Sequence, residues 1–476
     1  IATGDIHATD DDVYGACVNV AARLQEHAPS GGIAMTAEAR ATLFPPPSMD
    51  DLGIVALRNI TADWGSLQIR STAVTSWDDA TDGPDTEYGT FSRAFIRVRA
   101  KLAADGLTPL ESRMDIVDSD VGYLGYHAAE SYGLVWKVIG SQPNLFDRVN
   151  VYGDILRSRI HHNYFGVYTY GSYGQQFADN EVDHNVSYGF DPHDDSDFLV
   201  IENNNVHHNG NHGIIASQRC NNLIIRNNVS WNNTGNGIML HRYCDDTLVE
   251  DNRCLRNGDS GIALFDTRRA TVRRNICLYN FNAGIRLSVG AAHNTIEENE
   301  FAYGGNYGLY LYKGQDAPMP GDDGRPKDNV FRNNLVHRNR GTGIFLTSAN
   351  NNTFRGNLFY GNSGPLWFVN GRQNLLDSNS IPAGVTARTQ GSPSVASTTF
   401  VRNHSSLSIQ VDPYSATTFE DAPGRVFQTD RDGIPTTVRP DGTTLILTAA
   451  EIVKTLTRRY QRVLRMIRDY DNDDVL

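Results

Sequence analysis

No stretch of this chain is apolar and long enough to span a membrane, and no signal peptide heads it. The first residue is Ile1 rather than Met, so an upstream start is expected and the missing leader carries little weight. A basic excess is also lacking: 42 Lys and Arg against 55 Asp and Glu leave a net charge of −13. That balance argues against a nucleic-acid partner, whose binding rests on a basic surface. It leaves room for an anionic polysaccharide in a locally basic groove. No leucine-rich consensus is present, and no unit reaches the ~40 residues of a propeller blade. With 476 residues there is room for two or three domains.

What is present is a beat. Gly166, Gly189, Gly213, Gly237, Gly261, Gly284 and Gly308 are separated by 23, 24, 24, 24, 23 and 24 residues, and Gly343 follows. Each is followed by an apolar-x-apolar triplet, as in Gly213-Ile214-Ile215-Ala216; the turn opened by Gly189 reads Phe190-Asp191-Pro192-His193 instead. Asn180, Asn204, Asn228, Asn252, Asn275 and Asn299 keep the same spacing, and Asn185, Asn209, Asn233, Asn257 and Asn280 form a second column. A period of this length means stacked units that bury apolar faces against their neighbours. Alternation at period two makes the units short strands. Stacked asparagines suit a turn column, and a fixed glycine suits a corner needing positive φ or close backbone approach. The expected fold is a mainly β, right-handed parallel β-helix over 91–385.

Cys220 and Cys244 share one place in the repeat, and Cys254 and Cys277 share another. Neighbouring coils lie about 4.8 Å apart, which suits either disulfides or stacked buried thiols, with thiols the default.

The ends differ from the middle. Residues 73–90 read as a polar linker, and 386–476 as a tail closed by an amphipathic helix with a Thr448/Glu451 capping box. In residues 1–72, Asp11-Asp12-Val13-Tyr14-Gly15, Val18 to Leu24 and Gly31-Gly32-Ile33 resemble the C-terminal half of a class III adenylate/guanylate cyclase domain. The resemblance implies transition-state roles for Asn19 and Arg23 and purine selection by Asp12. The half that carries the two metal-binding aspartates is missing, so this small α/β fragment is expected to be inactive.

Strand alternation places positions +1 and +3 after each glycine in the core and +2 and +4 outside. Asp191 and His193 then share the outer face, with Tyr188 at the strand's mouth and His212 at the matching place one turn on. Tyr168, Tyr170, His241, Arg286, Tyr310 and Tyr312 take outward positions nearby, with Arg219, Arg242 and Lys313 close. Such a groove suits a chain of acidic sugars, because arginines pair with carboxylates and rings stack on sugar faces. His161, His162, His207, His208 and His337 fall in turn regions and read as packing or solvated residues. Asp191, His193, Asp194, Asp195 and Asp197 could be read as a hard-cation cluster, but only alternate members share a face.

The segment Tyr188-Gly189-Phe190-Asp191-Pro192-His193-Asp194 resembles the Asp-Pro-His-Asp signature of mannuronan C5-epimerases. His212 to Arg219, Glu130 to Lys137 and Val151 to Ile155 resemble the same family, in its periplasmic, calcium-independent branch. No glycine-rich calcium nonapeptides are present. The resemblance implies an isomerase acting on alginate: Arg219 neutralises the substrate carboxylate and His193 removes the C5 proton. Asp191 orients or holds the imidazole, and Tyr188, or a water beside it, returns a proton. Asp194, His212, Lys137, Tyr168, Tyr170, His241 and Arg242 are expected to bind substrate. Neither metal nor other cofactor is implied, and the location implied is periplasmic or extracellular. A polysaccharide lyase shares the first proton abstraction, and a non-catalytic carbohydrate-binding β-helix shares the groove; both stay open on the residues alone.

Overall fold

The computed structural model describes residues 59–89, 91–314 and 321–381, together with Thr398, Thr399 and Asn403, and beyond them only the backbone pairing of short strand segments. Each coil visits three parallel sheets in turn. The first sheet stacks Ile96–Leu102, Gly133–Val138, Phe165–Tyr170, Phe190–His193, Ile214–Ser217, Ile238–His241 and Ile262–Phe265, and continues to Leu366–Val369. All these neighbours pair in parallel.

Position +1 forms the core. Phe190, Ile214, Ile238, Ile262, Ile285, Leu309 and Ile344 face one another rung after rung, and every one is fully buried. Each such side chain contributes roughly 1.5–3 kcal/mol relative to exposure, which is how three-residue strands hold together. The repeated glycines are required by close approach, not by positive φ. A Cβ on Gly189 would lie 2.4 Å from the Gly213 carbonyl oxygen, and one on Gly213 would lie 2.3 Å from Ser230 Oγ. Left-handed backbone occurs instead at strand ends, at His162, His184, Asn203 and His208.

The asparagine columns are continuous amide ladders. Asn228 Oδ1 accepts both the backbone N–H and the side-chain amide of Asn204, each at 2.9 Å. Its own Nδ2 donates to the Ile201 carbonyl and to Asn252 Oδ1. The ladder crosses the 35-residue step from Asn299 to Asn334 unbroken, at 3.0 Å, so the longer step leaves the stack in register. A third ladder, Asn294 to Asn329, Asn352 and Asn374, was not evident from the period. Cys220, Cys244, Cys254 and Cys277 are buried free thiols.

Three expectations need correction. Ile60–Asp63, Ser66–Arg70 and Ala73–Thr75 pair in parallel with the next coil, so the solenoid starts ahead of residue 91 and takes in the first residues of the expected linker. Parallel backbone pairing also passes 385, through Thr386–Gln390 and Ser397–Val401. His161, His207 and His337 end strands of the third sheet and are buried rather than lying in turns. Apart from short strand segments, the cyclase-like residues 1–58 lie outside the described residues, as does the capping-box helix.

Candidate active site

The outer face of the first sheet carries two columns. One runs Lys137, Tyr170, His193, Ser217, His241 and Phe265; the other runs Val135, Tyr168 and Asp191, followed by Ile215, Met239 and Ala263. Ile215, Met239 and Ala263 pack with Tyr188 and Phe265 as a cluster separate from the main core. The +2 positions therefore point outward yet are covered by neighbouring side chains. Asp191 is only 2% exposed and its Oδ1 has no hydrogen-bond partner. Burial pushes its carboxyl up to about 7; the Asp194 charge adds to this and His193 opposes it.

His193 ends its strand, and the chain then turns through two left-handed residues, Asp194 and Asp195. One coil on, Gln218 and Arg219 make the same turn, hydrogen-bonded below by Asp195 N–H to the Gln218 carbonyl. Stacked turns place Arg219 directly over the two aspartates. Its Nη2 donates to Asp194 Oδ1 at 2.6 Å and to Asp195 Oδ2 at 2.9 Å, and its Nε reaches Asp195 at 3.1 Å. None of these contacts uses Nη1. The other oxygen of Asp194 accepts a hydrogen bond from His193 Nδ1. His193, Asp194, Arg219 and Asp195 thus form one continuous charged chain.

Burial alone would lower the His193 pKa. The Asp194 hydrogen bond and the charges of Asp191 and Asp194 outweigh it, and the pKa is raised. With Nδ1–H held by Asp194, the lone pair of the neutral imidazole lies on Nε2. The carboxylate orienting the imidazole is therefore Asp194, not Asp191 as expected. Strand alternation could not show this, because Asp194 lies beyond the strand, where left-handed backbone turns its side chain back.

Tyr188 stacks on His212, with ring centres 5.6 Å apart, and lies within electrostatic reach of Asp191. His212 Nδ1 accepts the Asn236 backbone N–H at 2.9 Å, so its proton sits on Nε2, and burial lowers its pKa to about 4. Tyr168 pairs in register with Asp191 and Tyr170 with His193; burial raises both phenols. Lys137 lies two coils away, its Nζ 4.4 Å from the centre of the Tyr170 ring and 3.2 Å from Glu130. His241 lies two coils away on the other side, packed on Phe265 at 4.7 Å. Arg242 follows it in the turn slot of Asp194 and Gln218. The groove also includes Tyr132, edge-on to Tyr168 at 5.0 Å, and an Arg286–Asp259 ion pair at 2.9 Å. Neither Tyr132 nor Asp259 stood out in the sequence. The offset of 24 residues from Asp195 to Arg219, one full coil, could have revealed that pair.

The fold defines the class. Residues 144–253, 199–321 and 292–400 match the right-handed beta helix region family, together 257 of 476 residues. The chain belongs to that family. It is 30% identical over 138 residues to a mannuronan C5-epimerase of Pseudomonas fluorescens, covering 29% of this chain and 24% of the relative. A mannuronan C5-epimerase of Pseudomonas putida is 30% identical over 140 residues, 29% of this chain and 25% of the relative. The matches thus span about a quarter of the curated relatives' length. Among solved structures, the periplasmic alginate epimerase AlgG superposes with a TM-score of 0.54 at 22% identity, over 65% of this chain and 73% of AlgG. A single-site mutant of AlgG gives the same TM-score of 0.54 at 21% identity, over 63% of this chain and 73% of that one.

Proposed function

We propose that the chain is a mannuronan C5-epimerase, converting β-D-mannuronate to α-L-guluronate within alginate. The observation that carries the reading is the His193–Asp194–Arg219 chain, with Asp191 buried beside it. The C5 proton becomes acidic only when the adjoining carboxylate is neutralised. Arg219 supplies that cation: its aspartate partners hold it charged, and its guanidinium offers a planar fork of donors to a carboxylate. Protonated Asp191 adds a hydrogen bond to the same oxygens, as a carboxylic acid held neutral near pH 7 can do. His193 Nε2 then removes the C5 proton from one face, and Asp194 stabilises the imidazolium formed. Tyr188, or a water it holds, returns a proton to the opposite face, leaving the inverted centre. His212, with its proton on Nε2, donates to a sugar oxygen. Tyr168 and Tyr170 line the groove, Lys137 binds a more distant carboxylate, and His241 and Arg242 extend the groove the other way. The reading places the protein in the periplasm or outside the cell, and makes the cyclase-like front segment catalytically silent.

The test is proton NMR of polymannuronate incubated with the protein. Guluronate signals should grow with wild type and fall by roughly 10²–10⁴-fold with His193→Ala, the usual worth of a general base. Unsaturated chain ends in place of guluronate would make the protein a lyase. Binding without either product would leave the non-catalytic reading.

A further inference from the structure

The third sheet carries a second array of titratable groups, separate from the columns of the first sheet. Its strands Arg159–His161, Glu181–Asp183 and Asn205–His207 end in His161, Asp183 and His207. Each is followed by a histidine in left-handed backbone: His162, His184 and His208, with φ of 53, 52 and 54°. Because these take the same slot on successive coils, their imidazoles stack. His162 and His184 are 5.2 Å apart with planes 7° from parallel, and His184 and His208 are 5.0 Å apart at 6°. Tyr123 stacks on the outer face of His162, and Trp231 meets His208 edge-on.

The residues behind the stack determine which nitrogen carries each proton. His161 Nε2 lies 2.7 Å from Asp120 Oδ1 and donates to it, so its Nδ1 accepts from His162 Nδ1–H at 2.8 Å. His184 Nδ1–H donates to Asp183 Oδ2 at 2.7 Å. His207 Nε2–H points at Glu181 at 3.2 Å, and its Nδ1 accepts from His208 Nδ1–H at 2.8 Å. All three front imidazoles therefore carry their proton on Nδ1 and a lone pair on Nε2. His208 Nε2 accepts from the Asn232 amide at 3.3 Å, as that tautomer requires. Donor atoms of Glu181, Asp183 and His207 also converge within 4.8 Å, but Arg159 lies across Asp183 through two bonds of 2.9 and 2.8 Å. The guanidinium fills the cation's place in that back layer, and the Nε2 row stands in front of it.

An imidazole whose Nδ1–H is anchored on a carboxylate, directly or through a second imidazole, is the arrangement that fixes and strengthens a metal-binding histidine. We propose that His184, with His162 and His208 on either side, binds a transition-metal ion of the Zn²⁺, Ni²⁺ or Cu²⁺ class through Nε2, with water completing the coordination. Nitrogen-only side-chain donors suit these ions and not hard cations such as Ca²⁺. Metal–nitrogen bonds of about 2.0–2.1 Å require two adjacent rings to tilt toward each other from their ~5 Å stacking. Half-exposed strand-end side chains permit that tilt, and the Asn232 bond is displaced.

The experiment is calorimetric titration of the tag-free full chain with Zn²⁺ and Ni²⁺, with Ca²⁺ as the hard-cation control. Saturable binding of Zn²⁺ and Ni²⁺ but not Ca²⁺ is expected. His184→Ala should weaken it at least tenfold, and His293→Ala, at an exposed imidazole elsewhere, should not change it. If His184→Ala does not fold, electron paramagnetic resonance of the Cu²⁺-loaded wild type decides: splitting from two or more nitrogens is expected. Absence of saturable binding, wild-type affinity in a folded His184→Ala variant, or an oxygen-only Cu²⁺ signal would overturn the assignment.

Discussion

Replacing Asp194 by Asn keeps its shape and removes its charge, which separates orientation of His193 from mere packing. Asp194 is the hydrogen-bond partner of His193 Nδ1 and one of two carboxylates on Arg219. The His193 pKa is raised against the effect of burial by the Asp194 bond and by the charges of Asp191 and Asp194. In Asp194→Asn the burial effect gains ground and the pKa falls. Because the base form exists only above that pKa, the rising limb of the pH–rate profile moves to lower pH. The plateau rate drops, since the imidazolium formed at proton abstraction loses its counter-charge; about 10²–10⁴-fold is expected for a misoriented, unsupported base. Stability should change little. The Arg219 side chain is 44% exposed and keeps Asp195, so under about 1 kcal/mol is at stake. Initial epimerisation rates by NMR across pH, beside denaturant melts, read both quantities. A folded variant with full rate and an unmoved rising limb would refute the assigned role.

Asp191→Asn keeps a hydrogen-bond donor beside the substrate oxygens, so activity should fall but persist, while the fold is stabilised. The native carboxyl titrates near 7 against 3.8 when unperturbed, so the folded state binds the extra proton. Stability from this group is complete below about pH 4 and lost as pH rises through 7; removing the charge should recover on the order of 2–4 kcal/mol above neutrality, seen by denaturant unfolding at pH 5 and pH 8. Arg219→Lys loses the Nε contact and the planar fork, and activity should fall by roughly 10²–10³-fold with little change in melting. Asn228→Ala strands the Asn204 backbone N–H and amide inside the ladder, so about 2–5 kcal/mol should be lost in urea unfolding. Asn306→Ala, on the exposed edge, should cost under ~0.5 kcal/mol.

The solenoid was legible because its period is written twice, in glycines that admit the neighbouring coil and in asparagines that bond across it. The coil at Ile60–Asp78 carries neither marker, which is why its strands read as a fragment end and a linker. Asp191 and His193 were placed by strand alternation alone. Asp194 and Arg219 were not, since both sit in left-handed turns whose direction no strand pattern describes. The histidine stack was missed for a related reason: each member sits one residue beyond a three-residue strand, where sequence shows only a polar corner. Repeat spacing does relate them, at 22 and 24 residues from His162 to His184 to His208, but only the ring planes show that they face one another.

Epimerisation of polymannuronate in D₂O bears most directly on proton abstraction by His193. Newly formed guluronate residues should carry deuterium at C5, and a folded His193→Ala variant should form neither guluronate nor C5 deuterium. Guluronate that keeps its original C5 proton throughout, or an active His193→Ala variant, would contradict the mechanism.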